Sequence, residues 1–300
     1  MMLATPSSGV IERTRVAVRR SVLRGQLQAV AAGKSESLTF DPDSAAVDVA
    51  ALVRQVTAGQ RPDSLLHQRL AGAFQRSGIA DIVIDQLAAA DAALRTRSAQ
   101  LAGVLGMTHA VSWISPLLSA KEPAVRTAAT RALGRIGGTQ SAHALLRAIR
   151  REGPRRTLLV ELARAAPDLF LETALCETKR TGAQSAVAIA AGLRGRRAAV
   201  APLLALLASG NRRERVASCR ALGWIKAESA LPAVAGALGD RDWRVRVSAA
   251  KAICRLGADG YLPELEALRS DPNTHVRKAV RIAIRRLLNT TEWPKEWAWR

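Results

Sequence analysis

One pattern returns at a fixed interval along this chain, and it constrains the fold more than any other feature. The stretch WRVRVSAAKAICRLG, residues 243–257, has a counterpart one interval earlier, RRERVASCRALGWI, and another one interval later within NTHVRKAVRIAIRRL. Arg215, Arg246 and Arg277 fall at one register position, and Leu222, Ile253 and Ile284 at a second. PAVRTAATRALGRIG adds Arg126 with Leu133, and Arg95 with Ala102 precedes that pair by the same interval. The shared core is an apolar residue, Arg, an Ala-rich stretch, then Leu or Ile, often followed by Gly. The period is about 31 residues, and self-similarity at such a period is the signature of a stacked repeat. Each unit of such an array buries its apolar face only against its neighbours.

The interval between Arg126 and Arg215 leaves room for weaker copies around Arg156 (PRRTLLVELAR) and Gln184 (AQSAVAIAAGL). A further copy lies around Ser64 (DSLLHQRLAGAF), giving about eight units in all. Each unit reads as two helices. A second apolar-periodic segment follows the Gly, with Pro232 and Pro263 near its start and one period apart. Proline is tolerated there because the first helical turn has no partner for the missing N–H. The expected fold is all-α, an α-solenoid of stacked antiparallel helix pairs over residues 61–288. Residues 1–60 are expected to form a helical cap with a polar loop at 34–44, and residues 289–300 a Trp-rich tail.

Composition agrees with closely packed helices: 48% of residues are hydrophobic and only 3% aromatic, whereas sheets favour aromatic and β-branched residues. The formal charge is +20 and is spread over both halves, +8 for residues 1–150 and +12 for 151–300. That balance favours an anionic partner: an acidic protein surface, nucleic acid or anionic lipid. The three cysteines, Cys176, Cys219 and Cys254, show no metal-ligand or redox spacing, as expected of small apolar residues in a reducing cytosol. No apolar run reaches the roughly 18 residues of a membrane span, and the N-terminus has no signal-peptide core. A cytoplasmic protein is expected.

The units DRDWRVRVSAAKAICRLG, SDPNTHVRKAVRIAIRRL and KEPAVRTAATRALGRIG resemble HEAT repeats, of the short bacterial type also found in bilin-lyase-like proteins. The resemblance implies a HEAT-like superhelix that serves as a binding scaffold. It also implies a ladder of Asp–Arg contacts between neighbouring units, with Arg95, Arg126, Arg215, Arg246 and Arg277 at the ladder position. Asp91, Glu122, Asp242 and Asp271 stand a few residues before four of these and are the expected acidic partners. The Arg215 copy lacks such an acid, which is expected to weaken the ladder there.

Other basic residues recur without serving the repeat. Arg131, Arg220 and Lys251 stand five places after the ladder arginine, and Arg135, Arg255 and Arg286 nine places after it. Those offsets fall about 40° apart on a helix, about 100° from the centre of the apolar stripe, so the side chains are expected to face solvent. In HEAT-like proteins the second helix of each unit lines the concave surface, which would make these columns a basic contact face. A secondary basic rim is read at Arg194, Arg196, Arg197, Arg212 and Arg213, within a stretch from 179 to 226 that holds ten basic residues and one acid. Trp224 and Trp243 are open to two readings, packing between helices or stacking on a ligand; the area a tryptophan must bury favours packing. The tail tryptophans Trp293, Trp297 and Trp299 are likewise read either as a cap on the last unit or as an anchor for a partner. The N-terminal helix, with Val18, Val22, Leu23, Leu27 and Val30 loosely on one side, reads as a cap or as a membrane-surface helix.

No P-loop, dinucleotide loop or nucleophile elbow is present, and the four histidines are isolated, with His275 expected to cap a helix or stand in solvent. No cofactor, metal or small-molecule substrate is expected. The expected function is a non-catalytic protein–protein scaffold that presents a basic concave surface to an acidic partner. The alternatives are sequence-independent nucleic-acid binding in the same groove, and attachment to anionic membrane beside a membrane enzyme. Two enzymatic relatives of the repeat type, DNA glycosylases and bilin lyases, enter by fold analogy only, since no active residues of either can be placed on this sequence.

Overall fold

The computed structural model describes residues 8–39, 48–60, 64–177 and 182–288, with side chains from residue 15 onward. The described residues form helices and connecting turns, with no strand among them. The chain divides into two compact units, Met1–Ala148 and Ile149–Arg300.

The first unit opens with α1 (Ser8–Ala31), followed by α2 (Val49–Val56), α3 (Leu65–Arg76), α4 (Ile79–Leu87), α5 (Ala92–Leu105), α6 (Val111–Ile114) and α7 (Pro123–Ile136). Helix α8 (Gly138–Glu152) leads to the second unit, which holds α9 (Arg156–Ala165), α10 (Asp168–Cys176), α11 (Gln184–Leu193) and α12 (Val200–Ser209). It continues with α13 (Arg212–Ile225), α14 (Leu231–Gly236), α15 (Trp243–Leu256), α16 (Leu262–Ala267) and α17 (Thr274–Leu288). After α1 the helices alternate in pairs, an antiparallel solenoid repeat within each unit.

The arginine-bearing helices are the long ones. They pack directly on one another, α5 on α7 in the first unit and α9, α11, α13, α15 and α17 in series in the second. Their apolar register positions make the core: Ala102, Leu133, Leu222, Ile253 and Ile284 are all essentially inaccessible. Side-chain caps start several of them. Asp91, Asn211 and Asp242 accept backbone N–H bonds at the N-termini of α5, α13 and α15, which satisfies donors that a helix start leaves unpaired. The intervening helices α14 and α16 are short, each carries proline in its first turn, and each is entered and left through 3-10 turns.

Neighbouring long helices approach until backbone meets backbone. A Cβ on Gly192 would lie 2.6 Å from the Cα of Ala221, and one on Gly103 at the same distance from the Cα of Ala132. A Cβ on Gly223 would lie 3.0 Å from the Cα of Ala252. In each pair the alanine follows its glycine at the same interval, just short of one period, so small residues at two register positions set the spacing of the layer.

Close rungs of the ladder are seen at Arg215 and Arg246, and their geometry corrects the expected partners. Arg215 donates from Nε and Nη2 to the two oxygens of Asp240, at 2.7 and 3.0 Å. Arg246 does the same to Asp271, at 2.8 and 2.9 Å. The acid therefore lies 25 residues after its arginine, in the loop before the next long helix. Asp242, expected as the acid before Arg246, instead caps α15, and Asp91 caps α5. The absence of an acid just before Arg215 does not weaken the ladder at Arg215, because that arginine looks forward to Asp240. Glu122 lies 3.3 Å from Arg95, a looser pair. Each of four ladder arginines also closes the loop before its own helix. Arg126, Arg215, Arg246 and Arg277 donate from Nη1 to carbonyls five or six residues back, as in Arg277 to the Asp271 carbonyl at 2.7 Å.

In the N-terminal segment Leu23, Leu27 and Val30 are buried, while Val18 and Val22 are more than half exposed, so the apolar side is narrower than the sequence suggests. The first part of the polar loop is tied down. Leu38 is buried, its N–H bonds Ser77 Oγ, and Arg76 Nε bonds the Glu36 carbonyl. The rest of that loop, and the tail with Trp293, Trp297 and Trp299, lie outside the described residues.

Candidate partner-binding groove

The second unit contains a groove of about 460 Å³ between α9, α11 and α13, reached by the first turn of α15. Five arginines line it: Arg156, Arg212, Arg213, Arg220 and Arg244. Its floor is apolar, built from Leu159, Ala186, Ile189, Val216, Ala217 and Trp224, and no carboxylate lines it. The volume falls in the range of about 300–1,000 Å³ that holds a compact ligand.

The local sequence explains how these side chains are held. Asn211 and Glu214 form a reciprocal capping box that starts α13, which places Arg212 and Arg213 in the first turn and Arg220 two turns on. Trp224 follows one turn later. Its ring fits beside α11 because residue 192 is glycine: a Cβ there would meet ring atom Cε3 at 2.9 Å. The Arg255 guanidinium lies over the ring, 5.5 Å from its centroid. Arg244 stacks on Trp243 at 4.4 Å, and the His275 ring also stacks on Trp243, at 4.8 Å and nearly parallel. His275 is therefore a stacking partner; the N-cap side chain of that helix start is Asn273, which accepts from the His275 N–H.

The groove arginines differ sharply in their surroundings. Arg212 and Arg244 share Asp242, at 3.7 and 3.9 Å. Arg213 is exposed. Arg220 is mostly withdrawn from water, its Nε is buried with no hydrogen-bond partner, and no carboxylate pairs with it among the described residues. Burial pushes its pKa down. Arg255 is pushed down to about 10, first by burial and then by the positive charge of Arg220. By contrast, the hydrogen bonds that Arg215 and Arg246 donate to Asp240 and Asp271 raise the pKa of each arginine.

Of the residues expected from the sequence, Arg220, Arg212 and Arg213 come together in this groove. Lys251 and Ile189 occupy the register position of Arg220 on the neighbouring helices, and Lys251 is buried, not solvent-facing as the helical wheel implied. Arg255 and Arg286 are half-buried, whereas Arg131, in the first unit, is exposed and Arg135, in the same helix, half-buried. The rim is split. Arg194 pairs with Asp168 at 2.8 Å, and Arg196 with Asp168 and Glu172 at 2.7 Å each, so both answer to α10. Arg197 is exposed. Arg244 and Arg156 are groove residues that belong to neither column. For Arg244 the signal was present, since it stands one full period after Arg213.

Among the described residues no group of three or more His, Cys, Asp and Glu is placed to hold a metal ion. None of the described helices is long and apolar enough to cross a membrane.

Comparison with solved structures finds repeat-built chains at low identity. Human deoxyhypusine hydroxylase in complex with glycerol is 20% identical over 89% of this chain and 98% of its own, with a TM-score of 0.37. YibA of E. coli is 14% identical over 95% of this chain and 100% of its own, with a TM-score of 0.38. A designed armadillo repeat protein is 17% identical over 88% and 99%, with a TM-score of 0.27. Comparison with curated proteins returns no match. The sequence model of HEAT repeats matches residues 80–166, 169–253 and 200–285. Those matches cover more than half of the chain and coincide with the paired helices and the arginine ladder: the protein belongs to the HEAT-repeat family.

Proposed function

We propose that this protein is a non-catalytic scaffold that holds an acidic protein partner in the arginine-lined groove of its second unit. The observation that carries the reading is the charge pattern of the groove: five arginines on an apolar floor with no lining carboxylate. Arg215 and Arg246 are each clamped by an acid of their own, whereas Arg212 and Arg244 share one more distant carboxylate, Asp242. HEAT repeats in general mediate protein interactions, and the fixed helix spacing gives such a partner a preformed surface.

Nucleic acid and anionic lipid compete with this reading because both are polyanions, and salt dependence alone does not separate them. A competition experiment does. Labelled poly-glutamate, duplex DNA, single-stranded RNA and anionic vesicles are titrated against the protein over a salt series, and against the Arg213→Glu, Arg220→Gln double variant. Acidic polypeptide is expected to bind near physiological salt and to weaken in the variant. Nucleic acid that stays bound at that salt while poly-glutamate does not would replace this reading. Its salt slope would then count the phosphates engaged, at about 0.9 per phosphate.

A further inference from the structure

The five arginines do not make the groove equivalent along its length, and the difference lies at Arg220. Five residues earlier on the same helix, Arg215 is clamped by both oxygens of Asp240. Arg194 and Arg196 are matched by Asp168 and Glu172. Arg220 receives no such match among the described residues, although it is mostly withdrawn from water and its Nε is sealed without a partner. A guanidinium in that state is costly to the fold unless something anionic completes it.

Packing does not demand the charge. The register position of Arg220 is occupied by Ile189 one helix before and by Ile282 two helices after. Ile189 is buried there. On the next helix it is Lys251, which is buried too; the scaffold thus accepts either an aliphatic or a cationic side chain at this point, and packing does not require the guanidinium of Arg220.

The surroundings say what kind of anion would complete it. Beside Arg220 the groove offers hydrocarbon: Ile189, Val216, Ala217 and Trp224. Trp224 offers the groove only part of its ring, since Arg255 lies over the ring and its edge is held against Gly192. A hydrated phosphodiester gains little from such a floor, whereas an apolar side chain gains from every area of it covered. A desolvated guanidinium in turn favours the planar, paired oxygens of a carboxylate.

We infer that the groove reads an acidic–apolar motif in an extended peptide: a Glu or Asp carboxylate seats on Arg220, and an apolar side chain two residues along covers Trp224, Ile189 and Val216. Two residues is the spacing that puts both side chains on one face of an extended chain. Arg213 at the rim steers the acidic segment in. The inference rests on the scaffold reading above and sharpens it from net charge to a motif.

The test compares short labelled peptides: a Glu-Ser-Leu-Ser repeat, a charge-matched repeat with Ser in place of Leu, and one with Gln in place of Glu. Each is titrated by fluorescence anisotropy near physiological salt, with duplex DNA run alongside. The Leu-containing acidic peptide is expected to bind about tenfold tighter than either control, a difference of about 1.4 kcal/mol. Arg220→Met and Trp224→Ala should each remove that preference. Arg220→Met should also raise Tm, because it replaces an unpaired buried charge by hydrocarbon; a lower Tm would make Arg220 a structural residue and overturn the assignment. Equal binding of the two acidic peptides would sink the motif and leave the scaffold reading standing. Binding of DNA with neither acidic peptide, or no binding of any probe, would sink both. The wild-type comparison decides even if a variant does not fold.

Discussion

Arg246 and Asp271 are joined by two parallel hydrogen bonds, Nε to Oδ2 at 2.8 Å and Nη2 to Oδ1 at 2.9 Å, with both side chains largely buried. The pair locks helix α15 to the loop before α17. Because Asp271 Oδ1 also accepts the Asn273 N–H, one carboxylate fixes a loop and a joint together. Removing one partner leaves a buried charge uncompensated, which costs about 3–5 kcal/mol. Arg246→Met should therefore destabilise strongly in chemical denaturation, and Asp271→Asn likewise. The double variant should recover part of the loss, and a cycle that sums without coupling would show the bonds to be idle.

The same pair sets an acid limit. The hydrogen bonds from Arg246 hold the Asp271 carboxyl below the usual carboxylate value. A carboxyl depressed by folding gives stability that is full above its unfolded value, near 3.9, and that is lost as pH falls through the folded value. The stability gap between wild type and Arg246→Met is thus expected to be constant from neutral pH to about 5 and to shrink below about 4. Unfolding curves recorded at neutral and acid pH check this, and a gap that widens in acid would contradict it.

Helix α13 ends on Lys226 in a left-handed conformation, φ 57°, at the place where α15 ends on Gly257, φ 66°. A side chain there costs about 1–2 kcal/mol that glycine avoids. Lys226→Gly should raise Tm by several degrees, and an unchanged or lower Tm would mean that the lysine makes a compensating contact.

Gly192 has no room for a side chain, with Ala221 Cα 2.6 Å and Trp224 Cε3 2.9 Å from a Cβ placed there. Gly192→Val should cost about 1–3 kcal/mol through overpacking and should blue-shift or broaden the tryptophan emission as Trp224 moves. Gly236, with open space around it, is the control: its alanine variant should leave the tryptophan emission unchanged and should not destabilise, because alanine is the better helix former.

The cysteines should divide by exposure. Cys176 is exposed, whereas Cys219 and Cys254 are buried. Burial raises both buried thiols, Cys219 to about 12. Since the thiolate is the reactive form, iodoacetamide at neutral pH should label Cys176 alone in the native protein and all three after denaturation. Native labelling of Cys219 would show that the α13 layer opens.

The repeat, its helix pairs and the buried positions Leu222, Ile253 and Ile284 were legible in the sequence because stacking imposes a strict period on apolar residues. The ladder acids were harder to read. Asp242 and Asp240 both precede α15, and an Asp immediately before a helix carries the stronger local signal because it caps. That signal outweighed Asp240, whose partner lies in the preceding repeat. The groove was half legible. A helical wheel treats a helix as having one buried side, but a helix in a stack is flanked on both sides, so a position 100° from the apolar centre meets a neighbour, as at Lys251. Nor does a wheel show which cations receive an acid, since Arg194 and Arg220 look alike until α10 supplies Asp168 to one of them.

The spacing of 25 residues between Arg215 and Asp240, repeated at Arg246 and Asp271, makes the repeat an interchangeable part. Excising residues 227–257, one full period, would carry Asp271 to the place Asp240 had held, opposite Arg215. The joint would close again with its own geometry. Lineages that gain or lose a unit at such a seam change the length of the array without having to invent a new interface, and each copy remains free to drift at positions such as Arg220 that the joint does not use.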